Sequence, residues 1–261
     1  MSLSTVTETI PAVLRILPAA VDIVLVVILA VCAWHGYKKG IIMGIIGVLV
    51  IILSLYGAQL LSDTFSYEVI PVLKPFVSGV VENRVEETTY QVFGYEPDIN
   101  GEYHVSRSVA DLVESQPETR FEIGTRVYRS LGIYSGIADA MAQKAVSFSD
   151  QNNASLSSSA VTILCQSITW YGGFLLAFIL LFSAMTVVVN ILNLSFRIPY
   201  IGIINGIGGL GVGIFTGVVL CAVIVWALQF TGLVLPEEAL SASKIAGWFL
   251  SRDLLAGYIN F

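Results

Sequence analysis

Residues 41–61 read IIMGIIGVLVIILSLYGAQLL, twenty-one residues without a charge. A helix needs about 20 apolar residues to cross a hydrocarbon core of roughly 30 Å. This stretch is therefore long enough to cross on its own. Before it stands His35-Gly36-Tyr37-Lys38-Lys39-Gly40, and before that residues 16–34, apolar apart from Asp22. Pro18 suits the first turn of a helix over 16–34, with Asp22 about one turn further in. The two segments predict a helical hairpin with the basic hexapeptide at its tip.

A second apolar block, residues 155–235, contains one charge, Arg197, beside Pro199. Within it, 168–192 and 203–229 are each long enough to span, and the short connector 193–200 predicts a second tight hairpin. The expected fold is all-α and polytopic, with about four transmembrane helices. Its segments are an N-terminal flank and first hairpin (1–61), an insert (62–160), a second hairpin (161–232) and a C-terminal segment (233–261).

Composition agrees. The chain of 261 residues is 56% hydrophobic and 12% charged, with mean hydropathy +0.81. Soluble domains carry roughly 25% charged residues, so this chain needs lipid to solvate its surface. A net charge of −6 supplies no basic patch for phosphates and argues against nucleic acid. Cys32, Cys165 and Cys221 all lie in apolar runs, which implies no disulfide framework. His35 and His104 belong to no cluster with metal-ligand spacing, so no metal or cofactor is expected. The first charge is Glu8 rather than a basic n-region, which predicts a retained first helix instead of a cleaved signal.

The insert differs in kind, with 14 acidic and 7 basic side chains. An amphipathic helix is predicted over 75–93, opened by Pro75 and closed by Gly94. Turn chemistry follows at 96–101, then short helices over 108–115, 118–131 and 135–148. Few apolar positions recur strongly enough to promise an independent core. In the tail, Leu240, Ile245, Trp248, Phe249, Leu255 and Ile259 alternate with charges, as in amphipathic helices lying at an interface. Lys38, Lys39 and Arg197 in the short loops outnumber Arg15 at the N-terminal flank. Basic residues favour the cytoplasm, so the hairpin tips are expected inside, with the insert and both termini outside.

Glycine recurs at every fourth position in Gly36, Gly40 and Gly44, and again in Gly209, Gly213 and Gly217, with Gly202 and Gly206 preceding the second row. That spacing keeps small residues on one helix face and lets backbones approach. Packing within one chain is the first reading, a homo-oligomeric interface the second. Gly206-Ile207-Gly208-Gly209-Leu210-Gly211 spells GxGxxG, but no acid follows until Glu237, so a dinucleotide site is rejected. Asp22 is the one acid placed inside a span. Such carboxylates are often functional, yet a position near a helix N-terminus also suits an acid. Asn190, Asn193 and Asn205 flank the Arg197 connector as capping residues, and Asn205 is a second candidate functional polar group. No catalytic motif (G-x-S-x-G, H-E-x-x-H or P-loop) occurs.

Two stretches resemble the colicin V production (CvpA) family. One runs from Asp22 to Gly44, an acid opening an apolar helix before a basic turn flanked by Gly36 and Gly40. The other runs over 198–217, where Pro199, Asn205, Gly209, Gly213 and Gly217 fit the family's polar-start glycine helix. Gly206 stands where relatives commonly carry arginine. Ser243-Lys244-Ile245 is similar to the family's segment after the membrane part. The resemblance implies a multi-pass protein of the bacterial inner membrane that supports bacteriocin production or export and envelope homeostasis. It implies no enzymatic activity, and partners among unidentified membrane or envelope proteins. The alternative is a small oligomeric channel or transporter subunit.

Overall fold

The computed structural model describes residues 3–195, 202–230, 232 and 235–252. Eight helices are present among these residues: α1 (Leu3–Val92), α2 (Val109–Ser115), α3 (Thr119–Ser130), α4 (Ser135–Asn152), α5 (Leu156–Ser195), α6 (Gly202–Leu228), α7 (Glu237–Ala242) and α8 (Lys244–Arg252). No strand occurs among the described residues. Three apolar stretches are long enough to cross a membrane: Ile16–Ser66, Leu156–Ile191 and Asn205–Leu228. Arg197, Pro199 and the tail positions Asp253, Leu255 and Ile259 lie outside the described residues.

The chain forms two compact units, one of Met1–Leu61 with Phe174–Phe261 and the other of Ser62–Gly173. In the first unit α1 is broken once, at Gly40, whose φ of 79° and ψ of 174° are open to glycine alone. Gly36 and Gly44, on opposite sides of the break, both pack against α6, at Gly213 and Val212 respectively. The chain therefore folds back on itself at Gly40. The hairpin expected from the sequence is present, but its turn differs. Helix persists through Lys39 and reversal takes one residue, where the hexapeptide 35–40 predicted a loop. For the same reason Gly36, Gly40 and Gly44 do not share one helix face.

Contacts along α6 run antiparallel to the first arm of that hairpin. Gly209 lies at Gly36 and Gly40, Gly213 at Cys32 and Gly36, and Gly217 at Leu29 and Cys32. Further along, Cys221 Sγ donates to the carbonyl of Leu25 at 3.7 Å. The second arm follows α5, where Gly57 meets Leu181 and the Ser54 hydroxyl donates to Met185 Sδ at 4.0 Å. Aromatic rings close the far end: Phe174 meets Trp226 edge-on at 5.3 Å, and Trp226 meets Phe230 at 5.6 Å. Outward positions such as Ile23, Val27, Ile52, Val187 and Ile207 are each more than half exposed. Continuous apolar surface of this extent suits hydrocarbon rather than water. Lipid tails compete evenly with apolar side chains, so helix association there depends on close van der Waals fit. Glycine supplies it.

The second unit has a core of its own, which the sequence did not promise. Val81 and Val85 on α1, Ile123, Val127 and Tyr128 on α3, and Ala138, Met141, Ala142 and Ala145 on α4 are all wholly or almost wholly buried. Tyr128 Oη donates to the carbonyl of Ala160 at 3.1 Å, so its one polar atom is satisfied. Trp170 Nε1 donates to Asp63 Oδ1 at 2.6 Å, and Ser62 Oγ donates to the carbonyl of Trp170 at 2.5 Å. Pro75 does not open a helix, because α1 runs through both Pro71 and Pro75 without leaving helical geometry. A proline inside a helix costs about 3 kcal/mol. Burial of Val81 and Val85, within the unit's whole core, offsets that cost. The short helices fall close to the predicted ranges, though α4 continues past 148 to Asn152. Ser108 caps α2, its hydroxyl accepting from Asp111 N at 3.1 Å while Asp111 Oδ2 accepts from Ser108 N at 3.4 Å.

Candidate functional site

The polar groups and glycines singled out by the sequence gather in the first unit at three places. The first is Asp22. Its Oδ1 accepts from Ser243 Oγ at 2.6 Å and from Ile245 N at 2.9 Å, and its Oδ2 accepts from Lys244 N at 3.0 Å. These donors form the start of α8, where four backbone N–H groups lack helical partners and the dipole is positive. Ser243 itself caps α8, its Oγ accepting from Ala246 N at 3.0 Å. A carboxylate on the first apolar helix thus ties down the tail 221 residues later. The sequence offered the dipole of Asp22's own helix as the structural reason for an acid. The dipole it meets is that of α8.

The second place is the glycine seam. A Cβ built on Gly213 would lie 3.0 Å from Cα of Gly36, and one on Gly209 would lie 2.7 Å from the carbonyl carbon of Gly40. Backbone meets backbone there, and no side chain could move aside. Gly206 faces the Tyr37 ring, Gly44 the Val212 side chain and Gly217 the side chains of Leu29 and Cys32. Gly202 opens α6. Asn205 sits at the break in α1, its Oδ1 accepting from Ile41 N at 2.8 Å. Ile41 is the first residue after Gly40, so Asn205 caps the second arm of the hairpin from a different helix.

The third place joins Lys39, expected as a topology marker, to Asn190, expected as a cap, in a pairing the sequence did not predict. Lys39 Nζ donates to Asn190 Oδ1 at 3.1 Å, joining the turn of the hairpin to α5. Beside this pair opens a groove of about 340 Å³, bordered by His35, Lys39 and Asn190 at one end and by Val31, Val50 and Phe182 at the other. Gly47 also lines it, and a Cβ built there would meet nothing within 4 Å. Lys38, next in sequence, instead lies over the Trp34 ring at 4.9 Å. The alternation of two lysines around a helix could have separated their roles. Their partners could not be read from it.

Outside this unit, Asp98, Glu102 and His104 form an exposed cluster in a loop. Asp98 Oδ1 accepts from the backbone N of Asn100 and Glu102, both at 2.8 Å, and Oδ2 lies 3.2 Å from His104 Nε2. Those bonds, the one to Glu102 foremost, hold its carboxyl below the usual range. This is the chemistry of a turn.

Comparison with curated proteins gives no match, nor does comparison with solved structures. A family model does match, and its span contains α4, α5, α6 and α7, the Asn205 cap and the Ser243–Ile245 tie to Asp22. It extends into the insert further than the resemblance read from the sequence, and does not include the first hairpin. That model is described as colicin V production protein, and the chain is similar to it over residues 135–253.

Proposed function

We propose that this chain is a four-span bacterial inner-membrane protein that supports bacteriocin production or export and envelope homeostasis by holding protein partners, without catalysing a reaction. The observation that carries the reading is the seam of Gly36, Gly209 and Gly213, where backbones meet with no room for a side chain. Such a contact fixes helices against each other rather than opening a path between them. A pore needs a hydrated route lined by charges or acceptors. Here Asp22 is engaged by three donors of the tail, and Asn205 by the backbone of Ile41. Four spans follow if each arm of the hairpin at Gly40 crosses the bilayer, with the basic turn in the cytoplasm and residues 62–160 outside. The matched family is not a known enzyme family.

Two measurements test this reading together. Purified protein in liposomes should give no ion or proton flux above empty vesicles, and crosslinkers placed in the insert should capture an export or envelope protein in living cells. Reproducible flux that Asp22→Asn abolishes would replace the scaffold by an oligomeric channel.

A further inference from the structure

The groove beside Lys39 has a charge at one end and an apolar body, with the seam residues Cys32, Gly36 and Gly213 along its wall. Lys39 carries three N–H donors, and Asn190 takes one of them. Among the described residues no carboxylate pairs with Lys39, and no aspartate or glutamate lines the groove. The end away from Lys39 is walled by Val31, Val50 and Phe182. Its volume of about 340 Å³ is at the low end of ligand sites, which run from roughly 300 to 1,000 Å³. It suits one slender chain better than a folded metabolite. From Lys39 to Val31 the helix rises about 12 Å at roughly 1.5 Å per residue. Half of a hydrocarbon core of roughly 30 Å is about 15 Å, so the groove has nearly the depth of one leaflet.

From these features we infer that the groove binds one acyl chain of an anionic phospholipid, with the lipid phosphate on Lys39. The inference rests on the proposed membrane reading, in which the turn at Gly40 lies at the bilayer surface. Lys39 supplies the charge, and Asn190 holds its stem at the mouth of the groove. Gly47 keeps the floor clear by lacking a side chain.

The test uses the full chain in nanodiscs of phosphatidylglycerol or phosphatidylcholine with identical acyl chains, followed by native mass spectrometry of retained lipid. One interfacial lysine favours an anionic lipid by about fivefold. The wild type should therefore retain about fivefold more phosphatidylglycerol. Lys39→Gln should bring the ratio near one. Gly47→Leu should abolish retention with the charge intact, since leucine would fill open space and is a better helix former than glycine. Lys38→Gln, removing the neighbouring charge over Trp34, should leave the ratio unchanged. Equal loss in Lys38→Gln and Lys39→Gln would overturn the site in favour of general surface attraction, as would full retention in Gly47→Leu. Carbonate extraction of membranes separates the two failures. Release of the wild type would defeat the membrane reading and the site with it, whereas firm insertion without lipid preference would defeat the site alone.

Discussion

Replacing Asp22 by alanine removes the acceptor of three hydrogen bonds at the start of α8, those from Ser243 Oγ, Lys244 N and Ile245 N. Hydrogen bonds to charged groups are worth roughly 1.5–3 kcal/mol each when buried. Asp22 is partly open, and the freed N–H groups regain water, so about 1 kcal/mol per bond is the better figure. Together the three amount to about 3 kcal/mol, or roughly a hundredfold in the opening equilibrium of the tail. Nine residues are too few for an isolated helix in water, so undocking and unwinding of α8 should coincide. Hydrogen exchange read by mass spectrometry over 243–252 in detergent should therefore accelerate by about a hundredfold in Asp22→Ala. Asp22→Asn keeps one acceptor oxygen but turns an N–H donor toward another N–H, and should fall between the two. Burial of Ala246 and Phe249 retains part of the docking, so exchange in the rest of the unit should not change. Wild-type protection of 243–252 in Asp22→Ala would refute the tie.

Four further substitutions probe the packing. Gly213→Ala should lower stability in detergent by about 1–3 kcal/mol through overpacking, whereas Gly211→Ala, where a Cβ meets open space, should raise it slightly; equal thermal melts would remove the close-contact argument. Gly40→Ala forces a side chain onto positive φ and into Asn205, and should cost about 1–3 kcal/mol from the backbone alone, read as a lower midpoint of thermal unfolding. Trp170→Phe loses the bond to Asp63 and should destabilise the second unit by about 1.5–3 kcal/mol, seen as faster proteolysis within 62–173.

Hydropathy made the membrane helices legible, because a charge-free run such as 41–61 has few other uses. The turn was less legible. Tyr37, Lys38 and Lys39 are polar enough to read as loop, yet they remain helical because Gly40 alone reverses the chain and Asn205, 165 positions later, caps the next residue. Caps are local signals when cap and helix adjoin in sequence, as with Ser108 and α2. Two caps in the first unit come from other helices, so neither Asn205 on Ile41 nor Asp22 on α8 could be paired from spacing. Lys39 and Asn190 were hidden for the same reason. In the insert, Pro75 looked like a start signal because proline favours the first turn, and tertiary burial of the residues after it overrode that preference. Its core was missed because alanine and valine, which fill much of it, carry a weak periodic signal.

Under the proposed topology the chain crosses the bilayer on both sides of Gly40, with that turn inside and the insert outside. Labelling of single cysteines in intact cells, on a background without Cys32, Cys165 and Cys221, tests it most directly. Both test positions, Lys39 and Ser155, are exposed. An impermeant thiol reagent should label Ser155→Cys in intact cells and Lys39→Cys only after permeabilisation. Labelling of Lys39→Cys but not Ser155→Cys would invert the orientation, and labelling of both in intact cells would contradict a crossing between them.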